Sequence, residues 1–173
     1  MAKKTKASPE KLYGSTLSWE GWSFRILSSE TGLRWIELSS TPIDDLARRL
    51  RARILPDDVP NELALDELHR YLRAETREFT VTLDIRGTPF QRAVWESLTA
   101  IPYGKTAAYS EIAAALGNPQ AARAVGQAVG TNPLPMVIPC HRVLGKDERL
   151  VGYSGGLPLK ERLLMLERGS LSL

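Results

Sequence analysis

The 173-residue sequence lacks several features that would assign it to a functional class at once. It contains one cysteine and two histidines, so it has neither an internal disulfide nor the cysteine set of a structural zinc site. No apolar run approaches the roughly 18 residues that a membrane-spanning helix needs. These absences predict a cytoplasmic protein that keeps its thiol reduced, binds no metal and does not enter a membrane.

Charge is also nearly balanced, with a net charge of +3. The chain is 43% hydrophobic and 25% charged, which are the proportions of a soluble protein with a substantial core. A positive charge this small is compatible with nucleic-acid binding but does not establish it. The first six residues are basic and no apolar segment follows them, so residues 1–10 are expected to form a disordered tail rather than a signal peptide.

Residues 11–84 show the patterns of a small α+β domain. Apolar residues alternate with period two over residues 12–38, and turns at Gly21 and Gly32 divide this stretch into three predicted antiparallel strands. Helices are predicted over residues 46–55 and 63–74, from their charge order and leucine spacing. Residues 79–83 predict a further strand. We expect no chemistry from this half, and we interpret His69, which has charged neighbours, as a surface residue.

Residues 85–173 predict a second, mostly helical domain. Its first helix has a strong start signal, because Thr88 at the N-cap and Gln91 three positions later form a capping box around Pro89. The residues predicted to face its core are Phe90, Val94 and Leu98. A last helix is predicted to begin at Pro158 and to end before Gly169.

Two short helices between these have the layout of a helix-turn-helix. The first is predicted over residues 111–116 with Ser110 as its N-cap, and the second over residues 119–129 after a turn at Gly117. The second helix carries Arg123 among small residues, on a face that would normally be charged if only solvent covered it. An ordinary pair of packed helices has the same spacing, so both interpretations stay open at this point.

The single cysteine lies in the stretch Pro-Cys-His-Arg-Val at residues 139–143. Because the residue before a proline avoids the α-helical region, we expect residues 137–143 to be an extended strand. On a strand the side chains of Cys140 and His141 would point to opposite faces, which makes direct proton transfer between them awkward. A lone cysteine is usually a small buried hydrophobic residue, and the adjacent imidazole makes this one a candidate nucleophile.

Several segments, in order, resemble the O6-alkylguanine-DNA alkyltransferases, a family of direct-reversal DNA repair proteins. They are Pro139–Val143, Gly87–Gln91 with Val94-Trp95, Ala122–Gly126, Asn132-Pro133 and Tyr153–Leu157. The resemblance is close over residues 86–169 and loose before them. It implies an α+β fold with an RNase H-like domain at 11–84, built on a small antiparallel sheet. It also implies a winged-helix-like domain at 85–173 that holds the helix-turn-helix and the active-site cysteine strand.

The resemblance implies a reaction as well as a fold. An alkyl group would pass irreversibly from O6 of guanine, or O4 of thymine, in double-stranded DNA to Cys140, without a cofactor. The base would first have to leave the duplex, because a protein thiol cannot reach it inside the stack. His141 would activate the thiol through a water, Glu167 would support the imidazole, Asn132 would act as a hinge, and Tyr109 would donate a hydrogen bond to the base.

The resemblance further implies which residues contact DNA and the flipped base. Arg123 would fill the gap in the stack from a helix in the minor groove. The other implied DNA contacts are Ala122, Gly126, Tyr109 and Thr106, and the implied pocket residues are Tyr109, Val143, Tyr153, Ser154, Gly155 and Lys160. We expect a monomer, with cooperative binding to DNA left open.

Other interpretations remain for the protein and for single residues. A non-catalytic lesion-binding protein of the alkyltransferase-like type would lack the nucleophile that Cys140 provides, and a transcription regulator would read bases in the major groove. Taken singly, Tyr109 fits a helix cap, Asn132 a helix-ending turn and Glu167 an exposed helix end.

Overall fold

The computed structural model describes residues 9–169 and begins with a four-stranded sheet. The predicted antiparallel meander is confirmed as β1 (Glu10–Trp19), β2 (Trp22–Ser28) and β3 (Leu33–Glu37). A fourth strand, β4 (Ala52–Pro56), pairs with β1 in parallel, so the sheet is mixed and not purely antiparallel. Of the predicted tail, residues 1–8 lie outside the described part of the chain, and Glu10 already belongs to β1.

The helix predicted over residues 46–55 is wrong in its second half. The observed helix α1 (Ile43–Leu50) ends at Arg51, whose backbone is left-handed with φ 52° and whose N–H caps the last turn. Residues 52–56 then form β4, because pairing with β1 buries Ala52 beside Leu12 and Leu46 in a small apolar cluster. The free energy gained by burying Ala52 depends on β1, about forty residues earlier in the chain. Helix periodicity, which is a local pattern, does not report such a contact.

Helix α2 (Glu62–Leu72) is close to its prediction, but the strand expected at 79–83 is absent. Only Leu83 makes a strand-like bridge, to Leu33. The backbone N–H groups of Thr80 and Val81 instead donate to the buried carboxylate of Glu67, at 2.9–3.1 Å. A side chain therefore satisfies the donors that a neighbouring strand would have used. His69 is exposed on α2, as predicted.

Helix α3 (Pro89–Thr99) begins with the predicted capping box. The Gln91 N–H donates to Thr88 Oγ1 at 3.2 Å, and the Thr88 N–H donates to Gln91 Oε1 at 2.9 Å. Val94 and Leu98 are buried as expected, whereas Phe90 is 41% exposed. Phe90 is the second residue of the helix, and the core packs against the later turns.

The predicted pair of short helices consists of α4 (Tyr109–Ala115), a 3₁₀ turn (Pro119–Ala121) and α5 (Ala122–Gly130). Helix α4 starts two residues earlier than predicted, and Ser110 is not its cap. The carboxylate of Glu111 accepts a hydrogen bond from the Ala108 N–H at 2.6 Å and closes the first turn. Gly117, with φ +77°, ends the helix in the left-handed conformation that glycine adopts without strain.

The segment around the cysteine is a 3₁₀ turn over Cys140–Arg142, not the predicted strand. The Arg142 N–H donates to the Pro139 carbonyl at 3.0 Å and closes this turn. Extended backbone resumes in β6 (Val143–Leu144), which pairs in parallel with β5 (Ala107–Ala108). The expectation that Cys140 and His141 point to opposite faces of a strand therefore does not apply.

Helix α6 (Leu157–Glu167) completes the fold and returns to the core. One buried apolar cluster contains residues of β1, β2 and α2 together with residues of α3, α5 and α6, so the core is continuous across the predicted boundary near residue 84. This continuity brings α2 from the first half against the cysteine turn. Within residues 9–169, no helix has the length and apolar character required to cross a membrane.

Candidate active site

A cavity of about 270 Å³ borders the sulfur-bearing residue. Its volume is near the lower end of the roughly 300–1,000 Å³ that small-molecule sites occupy, which suits a single flat base. Cys140 is only 6% exposed, so the cavity is where a reactant could meet its side chain. The lining residues are Tyr109, Gly126, Val129, Gly130, Cys140, Gly152, Tyr153 and Ser154.

The thiol of Cys140 is protonated at neutral pH. Burial raises its pKa to about 11, and this outweighs the lowering effects of a hydrogen bond with Asn132 and of the positive charge of Lys160. A thiolate is the reactive form of cysteine, so this site cannot depend on a preformed anion. Any attack by Cys140 requires a base that takes its proton when a reactant is bound.

The imidazole of His141, the next residue along the chain, has the protonation state that such a base needs. Its ring is fully buried, and burial lowers its pKa, so the ring is neutral near pH 7. Its Nε2 lies 2.8 Å from Glu167 Oε1. Because an ionised carboxylate only accepts hydrogen bonds, Nε2 carries the ring proton and Nδ1 is left as the acceptor. Nδ1 has no hydrogen-bond partner among the described residues.

Glu167, the last residue of α6, is buried and ionised. Burial alone would raise its pKa, but hydrogen bonds from His141 and Arg142 lower it well below the ordinary value. Arg142 donates from Nε and Nη2, each at 2.9 Å, and the Gly104 N–H donates at 3.0 Å. The exposed-helix-end interpretation of Glu167 is therefore excluded. Sequence reasoning gave no role to Arg142, although this residue belongs to the cysteine stretch.

Tyr71 also reaches the site, although it belongs to α2 in the first half. Its hydroxyl donates to Glu167 Oε1 at 2.6 Å and lies 3.2 Å from His141 Nε2. The first half, from which no chemistry was expected, thus places a hydroxyl in the buried hydrogen-bond network around Glu167. The available signal was a tyrosine three residues after Leu68, on the apolar face of α2, because a buried tyrosine hydroxyl usually needs a polar partner.

Asn132 joins the end of α5 to the segment that precedes the cysteine. Its Nδ2 donates to the Ile138 carbonyl at 2.8 Å, and its Oδ1 accepts from the Leu134 N–H at 3.0 Å. These two bonds span the loop between α5 and the 3₁₀ turn. They hold the loop beside the cavity and place the amide near Cys140.

The residues predicted to line the pocket divide into two groups. Tyr109, Tyr153 and Ser154 line the cavity, whereas Val143, Gly155 and Lys160 lie behind its wall.

The Lys160 ammonium, whose pKa burial lowers to about 8, donates to the carbonyls of Val143 and Val151 at 2.6 and 2.7 Å. A Cβ at Gly155 would lie 2.5 Å from Leu159, so glycine is needed there for packing. These residues thus position the glycine-rich loop instead of contacting the cavity.

The residues predicted to bind DNA lie on two surfaces. Arg123 is exposed on α5, one residue after Ala122, and Gly126 lies further along the helix and lines the cavity. Thr106 is partly buried and lines a different cleft, beside β5. Among residues 9–169, no three His, Cys, Asp or Glu side chains are grouped as a metal site would require.

Comparison with known proteins places this site in a family. A family model described as the 6-O-methylguanine DNA methyltransferase DNA binding domain matches residues 89–169. The inducible methylated-DNA–protein-cysteine methyltransferase of Bacillus subtilis is 42% identical over 166 residues, which cover 93% of each chain. The chain belongs to the methylated-DNA–protein-cysteine methyltransferase family.

Solved structures agree with this family assignment. The O6-methylguanine methyltransferase of Mycobacterium tuberculosis matches with a TM-score of 0.80 and 37% identity, over 93% of this chain and 95% of that chain. The M. tuberculosis protein in complex with DNA matches with a TM-score of 0.80 and 38% identity, over 92% and 93% of the two chains. The predicted α+β class is therefore confirmed, with a small mixed sheet and six helices in the described residues.

Proposed function

We propose that this protein repairs O6-alkylguanine in double-stranded DNA by transferring the alkyl group to Cys140, once per protein molecule. The observation that carries the proposal is a nearly buried thiol on the wall of a base-sized cavity beside α5. The relatives named above carry the same activity in their names. A lesion inside a stacked duplex cannot enter such a cavity, so the base must rotate out of the helix first.

In the transfer step, the Cys140 sulfur attacks the alkyl carbon as the bond from that carbon to O6 breaks. The electron pair of the broken bond goes to the guanine, which leaves as an anion. The thiol proton goes to Nδ1 of His141 through a bridging water. Glu167 then faces an imidazolium and stabilises it. The guanine anion then takes a proton from water, and His141 returns its own proton to the resulting hydroxide. The product is a thioether, so one molecule acts once.

Donors around the cavity would lower the barrier for the departing base. Charge develops on the guanine during transfer, and a hydrogen bond directed at that charge stabilises the transition state more than the ground state. The Tyr109 hydroxyl and the backbone N–H of Ser154 are the proposed donors. The backbone carbonyl of Cys140 is the proposed acceptor for the guanine amine. Val143, whose carbonyl accepts from Lys160, would hold this wall of the pocket together with Lys160 and Gly155.

DNA would bind along the helix-turn-helix of α4 and α5, with β5 and β6 beside it as a winged-helix-like unit. Arg123 is exposed and would fill the gap that the flipped base leaves in the stack. Ala122 and Gly126 on α5 are small enough for close approach to a minor groove, and Thr106 would contact the backbone. We propose that the protein acts as a monomer, with an RNase H-like first half packed against this unit.

A non-catalytic lesion-binding protein is the alternative, and three observations disfavour it. Cys140 is present and borders the cavity, and its base has a complete set of supporting hydrogen bonds through Glu167. The identity to catalytic relatives extends over 93% of the chain. A protein that only binds lesions would need the cavity but not this buried polar network, which is costly to keep unless it is used.

The experiment compares transfer from a methylated duplex with transfer from free O6-benzylguanine. Arg123→Ala should slow the duplex reaction by about 10-fold or more and leave the free-base reaction within about twofold, because only the duplex has a gap to fill. Arg70→Ala, which removes an exposed arginine from α2, is the charge-matched control and should change neither rate. Equal losses on both substrates for Arg123→Ala would contradict the role given to this arginine.

A second variant tests the nucleophile directly. Cys140→Ser should bind the methylated duplex with unchanged affinity but take no methyl group, since a serine hydroxyl is a far weaker nucleophile than a thiol at neutral pH. Methyl transfer at the normal rate in this variant would contradict the assignment.

A further inference from the structure

A residue of the first half lies in direct contact with the proton-transfer groups. Tyr71 is completely buried, and its ring packs against the rings of Phe79 and Tyr103, whose centroids lie 5.4 and 6.2 Å from its own. This packing fixes the ring, so the hydroxyl has one available direction. It points at Glu167 Oε1, which is the same carboxylate oxygen that His141 uses.

The hydroxyl of Tyr71 is protonated, and is therefore a donor, at neutral pH and well above it. Burial and the charge of Glu167 raise the pKa of Tyr71 well above its ordinary value. Because the carboxylate is ionised, the phenol proton is directed at Oε1. Tyr71 and His141 therefore share Oε1, to which Arg142 Nη2 also donates, while Arg142 Nε and the Gly104 N–H donate to Oε2.

We propose that Tyr71 is a positioning residue for alkyl transfer: its hydroxyl fixes the Glu167 carboxylate against His141 and withdraws part of the negative charge that the imidazole would otherwise meet. The proposal rests on the transfer function proposed above. It gives the first half of the chain a direct part in the chemistry.

The expected consequence concerns the pH at which His141 becomes protonated. Without the phenol, more of the charge on Oε1 acts on the imidazole, so the charged ring is favoured and its pKa rises. A protonated His141 cannot accept the thiol proton, so the acidic limb of the transfer rate moves to higher pH. The groups that face His141 in the buried site are Glu167, Tyr71, Arg142, Lys160, Cys140 and Tyr153.

The test is Tyr71→Phe, which keeps the packed ring and removes only the hydroxyl. At pH 8 the rate of methyl transfer by the variant should agree with that of the natural protein within about threefold, and on the acidic limb the variant should fall behind by up to about 10-fold.

Nitrogen NMR reports the same change without substrate, because the chain has two histidines. His69 is exposed and serves as an internal reference. The His141 titration should move to higher pH in Tyr71→Phe, and the His69 signals should be the same in both proteins.

Two further variants sharpen the result. Tyr103→Phe removes a nearby hydroxyl that, within residues 9–169, makes no hydrogen bond to the Glu167 carboxylate or to the His141 ring. This variant should change neither the pH profile of methyl transfer nor the His141 signals. Replacing Tyr71 with 3-fluorotyrosine makes the phenol a stronger donor and should move the His141 titration to lower pH. This variant keeps the hydroxyl, so it gives an answer even if Tyr71→Phe does not fold.

The two proposals fail in different ways. Unchanged His141 titrations in both Tyr71 variants would overturn the positioning role, whatever the activity. If the natural protein took no methyl group from DNA, the proposed function would be overturned. The NMR titrations would still decide whether the Tyr71 hydroxyl lowers the pKa of His141.

Discussion

Removing the charge of Glu167 should destabilise the protein strongly, because every polar neighbour of its carboxylate is a donor. At Oε2 the donors are the Arg142 Nε–H and the Gly104 N–H, and neither can become an acceptor. In Glu167→Gln, an amide nitrogen at that position would face two donors. Turning the amide around would instead direct its nitrogen at the donors to Oε1, which are Tyr71, His141 and Arg142 Nη2, and the last of these cannot become an acceptor.

The magnitude follows from what is left unpaired. Arg142 is 6% exposed, so loss of the carboxylate leaves a buried guanidinium without a countercharge. Removing one partner of a buried pair costs about 3–5 kcal/mol, against a total stability of about 5–15 kcal/mol for a protein domain. We therefore expect Glu167→Gln to lower the free energy of unfolding by about 3 kcal/mol or more.

The assay is urea denaturation of a double-mutant cycle with Arg142→Met. The double variant has neither charge, so it should be more stable than the sum of the single losses predicts, by about 2 kcal/mol. The bond from Arg142 Nη1 to the Ile101 carbonyl is lost in both variants that lack the arginine, so it cancels in the cycle.

Glu161→Gln on the exposed face of α6 is the matched control and should stay within about 0.5 kcal/mol of the natural protein. A loss below about 1 kcal/mol for Glu167→Gln, or additive losses in the cycle, would refute the reasoning.

Three other predictions concern stability. Thr88→Ala removes the acceptor of the Gln91 N–H and should cost about 1 kcal/mol in urea denaturation; no measurable loss would contradict the capping box. Gly155→Ala places a methyl group 2.5 Å from Leu159 and should cost about 1–3 kcal/mol, whereas a neutral result would mean that the loop moves freely. The folded-state pKa of Glu167 is lowered, so its stabilisation is complete above the ordinary value of 4.5 and is lost on further acidification; the stability difference from Glu167→Gln should therefore shrink below about pH 4, and a constant difference would contradict this.

Sequence patterns correctly predicted the elements whose stabilising contacts join residues close together in the chain. The capping box at Thr88 and the left-handed glycine that ends α4 depend on contacts within four residues, and both occur as expected. The meander of β1 to β3 was predictable for the same reason, since short turns join strands whose alternation is visible in the sequence. Contacts between residues this close in sequence do not depend on how distant parts of the chain pack.

Elements that depend on distant partners were missed. Strand β4 exists because β1 offers a free edge, and the segment at 79–83 is not a strand because Glu67 takes its backbone donors. Hydrophobic periodicity reports neither the free edge of β1 nor the hydrogen bonds to Glu67. The segment at Cys140 was predicted as a strand because a proline precedes the cysteine, but the backbone forms a 3₁₀ turn that begins at Cys140 itself.

The candidate site shows the same division. The cysteine stretch and the resemblance to known repair proteins are enough to indicate Cys140, His141 and Glu167. Tyr71 could not be assigned in this way, because it lies 70 residues before His141 and 96 before Glu167 and belongs to an apolar helix face. Its role depends on the packing of α2 against the second half, which only the folded chain displays.

The most direct test of the account is the mass of the tryptic peptide of residues 124–142, which contains Cys140, after incubation with a duplex that carries O6-methylguanine. The peptide should gain the mass of one methyl group in place of one hydrogen, in an amount equal to the methyl lost from the DNA and never above one per protein. Loss of methyl from the DNA with an unmodified peptide, or a methyl group on any other residue, would contradict it.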